Sequence, residues 1–216
     1  MKMKLHFISI LLLSILVSGC ITSPVVINKM KIDDRESKLS ASVLLLTDKQ
    51  FLSYMHQEKQ LGTTFEYDLG FYLKNAVSDS LNTIFTHVTQ SESLGSQNNY
   101  DLVIQPTLVN FTAPVPALVL MNTQTQVTIK YKVISKTPLR SYELLSTGTY
   151  ELLNQEDEAI YNSLTSRDIY TYNAAANFGM HVPDYSYEAG KDAYMAIYHA
   201  LIDLNQQLLS KIESSS

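Results

Sequence analysis

Tryptophan is absent from this chain, and cysteine occurs once, as Cys20. A lone cysteine excludes an internal disulfide, so the fold must be held by packing alone. Glycine and proline are also scarce, at 7 and 6 of 216 residues. No glycine-rich phosphate loop, nucleophile elbow or zinc-helix signature occurs. Positive charge is in the minority: 16 Lys and Arg stand against 21 Asp and Glu, for a net charge of −5. That balance excludes the basic footprint of a nucleic-acid-binding domain. No apolar run reaches the roughly 20 residues that a membrane-spanning helix needs. The aromatic content rests on tyrosine, with 14 Tyr against 7 Phe.

What is present begins at the N-terminus. Lys2 and Lys4 precede an apolar run over 5–17, which ends in small residues and the single cysteine. A basic start, a short apolar middle and a small-residue end are the three parts of a cleavable secretory signal. Val17-Ser18-Gly19-Cys20 resembles the bacterial lipobox, in which the cut falls between Gly19 and Cys20 and the thiol is alkylated by lipid. Ile21, being other than Asp, implies sorting to the outer membrane under that resemblance. One acyl chain holds a membrane only marginally; a bacterial lipoprotein of this kind carries three. A plain signal peptide with a chance cysteine, or an uncleaved anchor, is the alternative. The chain then divides into a signal (1–19), a lipidated N-terminus and tether (20–40), one α+β domain facing the periplasm (41–213) and a frayed tail (214–216).

Within the domain, the short apolar run at 42–46 reads as a buried strand. Residues 25–27 offer a short edge strand, and 49–61 a helical turn or a loop. Residues 63–88 read as a long amphipathic helix, with Thr63 and Glu66 as a capping box and Phe65, Leu69, Tyr72, Leu73, Ala76, Ile84 and Val88 as its stripe. Gly70 inside it suggests close packing. Residues 101–111 read as a strand that Pro106 forces to an edge or a bulge. Residues 123–135 alternate, with Val127, Ile129, Tyr131 and Val133 on one face and Thr128, Lys130 and Lys132 on the other, wet face. Residues 142–153 return as the partner strand, with Gly148 as a candidate bulge. A short helix is placed at 159–164 inside a long irregular stretch. Residues 185–212 form a second amphipathic helix, with Ala189, Ala193, Ile197, Leu201, Leu204 and Leu208 on its buried stripe. The resulting fold class is α+β: a two-layer sandwich with a mixed sheet of about four strands and both long helices on one face.

The chemistry search returns little. Beyond the signal, His56, His87, His181 and His199 lack metal-ligand spacing, and His87 and His199 read as surface residues on helices. Glu156-Asp157-Glu158 reads as a solvated carboxylate run. No cofactor, metal site or catalytic residue is assigned, and the protein is not expected to be an enzyme. Two features suggest contact surfaces. The first is a tyrosine cluster, Tyr161, Tyr170, Tyr172, Tyr185, Tyr187, Tyr194 and Tyr198, which reads as packing ahead of partner contact. The second is the apolar connection at 114–121, with Val115, Pro116, Leu118 and Leu120; it serves either as an exposed contact tip or as the start of the next strand. The lipobox with this element order resembles small envelope lipoproteins, such as the auxiliary lipoproteins of ABC-type transport systems and the YajG-like lipoproteins. The resemblance implies a non-enzymatic adaptor working with an envelope protein complex. A lipid- or glycan-binding lipoprotein and, more remotely, a hydrolase are the alternatives.

Overall fold

The computed structural model describes residues 21–60, 63–93, 99–114, 124–136, 139–151, 155–165 and 185–214. In chain order these form β1 (Ile21–Pro24), β2 (Leu39–Leu46), α1 (Lys49–Leu52), β3 (Met55–Gln60), β4 (Thr63–Asp68), α2 (Leu69–Asn82), β5 (Phe85–Ser91), β6 (Leu102–Thr112), β7 (Gln124–Lys136), β8 (Leu139–Glu151), α3 (Gln155–Leu164) and α4 (Tyr185–Glu213). Two sheets result. The larger runs β5-β2-β6-β7-β8 and the smaller β1-β4-β3.

In the larger sheet, β2 is parallel to β5 on one side and to β6 on the other. These parallel pairs require crossovers, and α2 supplies the packing element between β2 and β5. β7 and β8 complete the sheet as antiparallel neighbours. Alternation works as anticipated on β7. Val127, Ile129, Tyr131 and Val133 are buried, while Thr128, Lys130 and Lys132 lie on the face turned to solvent, where Lys130 pairs with Glu143 across the ladder at 3.1 Å. The buried face meets α2 and α4, so both long helices cover one side of a mixed sheet in an α+β sandwich. Leu73, Val77, Ile197, Leu201, Leu204 and Leu208 reach from these helices into a single core. Each such side chain, fully buried, contributes about 1.5–3 kcal/mol relative to an exposed one.

Strand count differs from the expected four, and half of the difference, β4 and β5, comes from the stretch beginning at Thr63. That stretch is a strand, a helix and a strand. In β4, Phe65 and Tyr67 alternate into the core, and β3 and β1 pair on either side. The capping residue is Asp68, whose carboxylate accepts from the Phe71 N–H at 3.4 Å; Thr63 and Glu66 form no capping box. After Asn82 the Thr83 hydroxyl turns back on the Ser80 carbonyl at 2.7 Å. Thr86, Val88 and Thr89 then suit a strand more than a helix.

Pro106 sits past the end of the β2–β6 ladder, which stops at Ile104, so no parallel neighbour asks for its missing N–H. The register shift in β6 lies further on, between Leu108 and Asn110. Gly148 is not a bulge. It pairs regularly with Val127. Its role is contact: a Cβ there would overlap the backbone of Ala196 and Ala200, so glycine is what lets α4 lie on β8.

Candidate functional site

The stretch read as a tether is packed along much of its described length. β1 pairs with β4 from its first residue, Ile21 opposite Thr63, and the Val25 N–H continues the contact to the Glu66 carbonyl at 2.7 Å. Val25 and Met30 are buried, with Val26 between them 73% exposed. Sequence order explains the pattern: Val25-Val26-Ile27 alternates like a strand, and one face has a helix beneath it. That helix is α4, whose Gly190 lies so close to the Val26 carbonyl that a Cβ would overlap it. The strap is then hydrogen-bonded along its course. Asn28 Nδ2 donates to the Tyr161 hydroxyl at 2.6 Å, and the Lys31 N–H donates to the Tyr194 hydroxyl at 3.2 Å. The Arg35 and Leu39 N–H groups reach the carbonyls of Thr83 and Ile84. The acidic and basic residues at 33–38 are exposed, as a solvated charge run should be.

Two grooves flank the strap. One, of about 390 Å³, is lined mainly by apolar side chains, among them Val25, Val26, Ile27, Met30, Phe71 and Tyr72. The other, of about 500 Å³, is mixed; Asn28, Lys31, Asp34 and Asp79 line it together with Met30, Ile32 and Leu164. Phe71 stands 63% exposed on the rim of the first groove. Tyr72 turns its hydroxyl inward, where burial, followed by Tyr194, Tyr161 and Asp79, pushes it well above its ordinary value of 10.0.

The described tyrosines pack. Tyr161 and Tyr194 are buried and meet edge to face at 5.2 Å between centroids, and Tyr198 stacks on Tyr194 at 6.5 Å. Burial raises the Tyr194 hydroxyl, with the Lys31 backbone bond opposing. These rings clamp the strap to α3 and α4, which is the packing role. The side chains of Tyr185 and Tyr187, and all of Tyr170 and Tyr172, lie outside the described residues, as do His181, Gly19, Cys20, Val115, Pro116, Leu118 and Leu120.

Two expected surface positions are instead engaged with the interior. His199 on α4 donates from Nδ1 to the Thr149 carbonyl at 2.8 Å, since that oxygen can only accept, and its Nε2 lies 3.0 Å from Asp157 Oδ1. Asp157, the middle member of the carboxylate run, is 5% exposed. A helix on a sheet edge brings them together, a proximity that no local spacing encodes. With both ring nitrogens occupied, His199 holds β8 and α3 against α4. Gln207, two turns further along, donates to the Leu145 carbonyl at 3.0 Å, so α4 side chains cover the open edge of β8 at two points. His87 is exposed, as anticipated, but on strand β5 and not on a helix.

Sequence reading missed a third buried group. His56, Tyr67 and Phe111 form an edge-to-face triad, with centroid distances of 4.9 to 5.7 Å. Burial lowers the His56 imidazole below its ordinary 6.5; Glu58, 3.5 Å away, opposes that shift. Burial, then Asp192 and Glu58, push the Tyr67 hydroxyl up. Lys191 and Asp192 are themselves buried within α4. Charged residues flanked by Ala189 and Ala193 on an apolar stripe were the one available signal. Among the described residues no cluster of three His, Cys, Asp or Glu could hold a metal, and no helix is long and apolar enough to cross a membrane.

No protein-family model matches the sequence, and no curated protein does. Among solved structures, the chain is similar to a Xanthomonas campestris protein of the family model DUF330. The TM-score is 0.51 at 8% identity, over 90% of this chain and 98% of that one. It is also similar to the PelC dodecamer from Paraburkholderia phytofirmans (TM-score 0.35, 10% identity, 56% of this chain and 78% of that one). A further match is the lipoprotein GNA1162 from Neisseria meningitidis (TM-score 0.32, 10% identity, 63% and 99%). At such identities the likeness to the Xanthomonas campestris protein is one of fold, and it extends over nearly the whole of both chains.

Proposed function

We propose that this chain is a bacterial lipoprotein, held in the outer membrane by acyl chains on Cys20, whose domain acts in the periplasm as a non-enzymatic adaptor for an envelope complex. The observation that carries the reading is the run from Lys2 to Cys20, in which a basic start, a short apolar stretch and Val17-Ser18-Gly19-Cys20 stand in the order that lipidation requires. The fold supports the adaptor role indirectly. The buried Asp157 carboxylate holds elements together, through His199 and the Thr149 carbonyl. Its grooves lie beside the N-terminal strap, where an anchored protein meets its surroundings.

Replacing Cys20 by Ser removes the thiol and with it the acyl chains. Fractionation of cells expressing each form should move the Ser variant from the membrane to the soluble fraction, and the mature parent should carry the mass of its lipid. A Ser variant that stays with the membrane as fully as the parent would count against the anchor. Crosslinking of the parent in intact envelopes, followed by identification of the captured protein, tests the adaptor role.

A further inference from the structure

We infer that the exposed apolar rim formed by Val26, Phe71 and Met55 is a membrane-contact surface, seated on the leaflet that holds Cys20; this rests on the lipoprotein reading above. Single exposed hydrophobic residues are ordinary on a protein surface. Here three gather. Val26, Phe71 and Met55 are 73%, 63% and 52% exposed. Val26, Asp68 and Phe71 line one groove, and Met55 is the register partner of Asp68 on the neighbouring strand. The other exposed large hydrophobics among the described residues, Val109, Leu139 and Leu145, belong to the larger sheet.

The occupant follows from where the chain enters the fold. Ile21 is already paired with Thr63, so no free tether separates Cys20 from the domain. Val26 is six residues on from Cys20, and because Ile21–Pro24 run extended as β1 their separation approaches, without exceeding, about 20 Å. A domain held this closely must rest some part of itself on the bilayer. Among the described residues, the rim is the exposed apolar surface closest in sequence to the anchor, and it gains by leaving water. Apolar side chains of a surface-bound protein settle roughly 5–10 Å into the boundary between headgroups and acyl chains. Lys29, whose side chain is 85% exposed beside the same groove and whose ammonium lies 3.9 Å from Asp79, suits the headgroup level, where that exposed pair can be exchanged for phosphates with the stem on the apolar surface. A second copy or a protein partner would need a reason to lie at the anchor, whereas the bilayer is there already.

The test uses the full acylated protein. Its only cysteine is consumed by lipid, so an introduced cysteine is the sole free thiol. Phe71→Cys, Val26→Cys and, as a reference, Leu139→Cys are labelled with an environment-sensitive fluorophore and reconstituted into vesicles of phosphatidylethanolamine and phosphatidylglycerol. All three sites are exposed, so each variant should melt with the parent. The expected result is a blue-shifted emission at 71 and 26, quenched severalfold more by nitroxide lipids than the label at 139. Labels at 71 and 26 as wet as the one at 139, in protein whose mass shows the acyl chains, would overturn the inference alone. A blue shift without lipid quenching, accompanied by 71-to-71 crosslinks, would overturn it in favour of a second copy. A mass without acyl chains would overturn the anchor reading and the inference with it.

Discussion

At the scale of single residues, His56 sets a dependence on pH. Its imidazole is lowered in the fold by burial against Tyr67 and Phe111, and the Glu58 charge offsets only part of that. The unfolded chain therefore takes up a proton at a higher pH than the folded one. Stability from this group is complete above the ordinary value of 6.5 and is lost as pH falls from there towards the lowered folded value. Thermal melts between pH 8 and pH 5, roughly spanning the unperturbed histidine range, should show a falling midpoint for the parent and a flatter profile for His56→Phe. Identical profiles would mean that the imidazole is hydrated in solution. None of this was legible from sequence, where His56 was one unplaced histidine among four. The same holds for His199 and Asp157, which meet only because α3 and α4 cross near the edge of β8. Tyrosine burial was legible for Tyr161 and Tyr194, because so many rings in a chain without tryptophan must supply core volume.

Among the elements, the contact of α4 with β8 is the one most exposed to a small change. Gly148→Ala places a methyl group against the main chain of Ala196 and Ala200, and main chain cannot rotate aside as a side chain can. Overpacking of this sort costs about 1–3 kcal/mol, and a backbone obstruction belongs at the upper end. Chemical denaturation of the soluble domain should show a loss of that size; a change below about 0.5 kcal/mol, the ordinary range of surface substitutions, would mean that α4 lies further from the sheet. The elements with an unambiguous period were read correctly: β7 by its alternation and α4 by its stripe of Ala, Ile and Leu. The failure at 63–88 has a plain cause. Phe65, Leu69, Tyr72 and Leu73 fall at steps of three and four, so a strand joined to a helix copied the spacing of a longer helix. Short strands paired at long range, such as β1 with β4, leave no local mark at all.

For the molecule as a whole, pairing that begins at Ile21 limits how far the domain could stand from an anchor on Cys20. Inserting a flexible Gly/Ser segment between Cys20 and Ile21 should leave fractionation and melting temperature unchanged, because neither depends on the spacing. If the apolar rim holds the domain on the bilayer, energy transfer from a label on the domain to a labelled lipid should change little. A fall in transfer as the inserted linker extends, with the square root of its length, would show that short spacing alone kept the domain at the membrane. The strap also has a bearing on the order of assembly. Asn28 bonds to Tyr161 and Lys31 to Tyr194, partners 133 and 163 positions away in sequence. β1 can pair with β4 early, but the strap beyond it is among the last parts to be fastened, since contacts of such long range wait on everything between them. Asn28 and Lys31 stay unfastened until α3 and α4 have formed, and the strap becomes rigid only when both helices are in place.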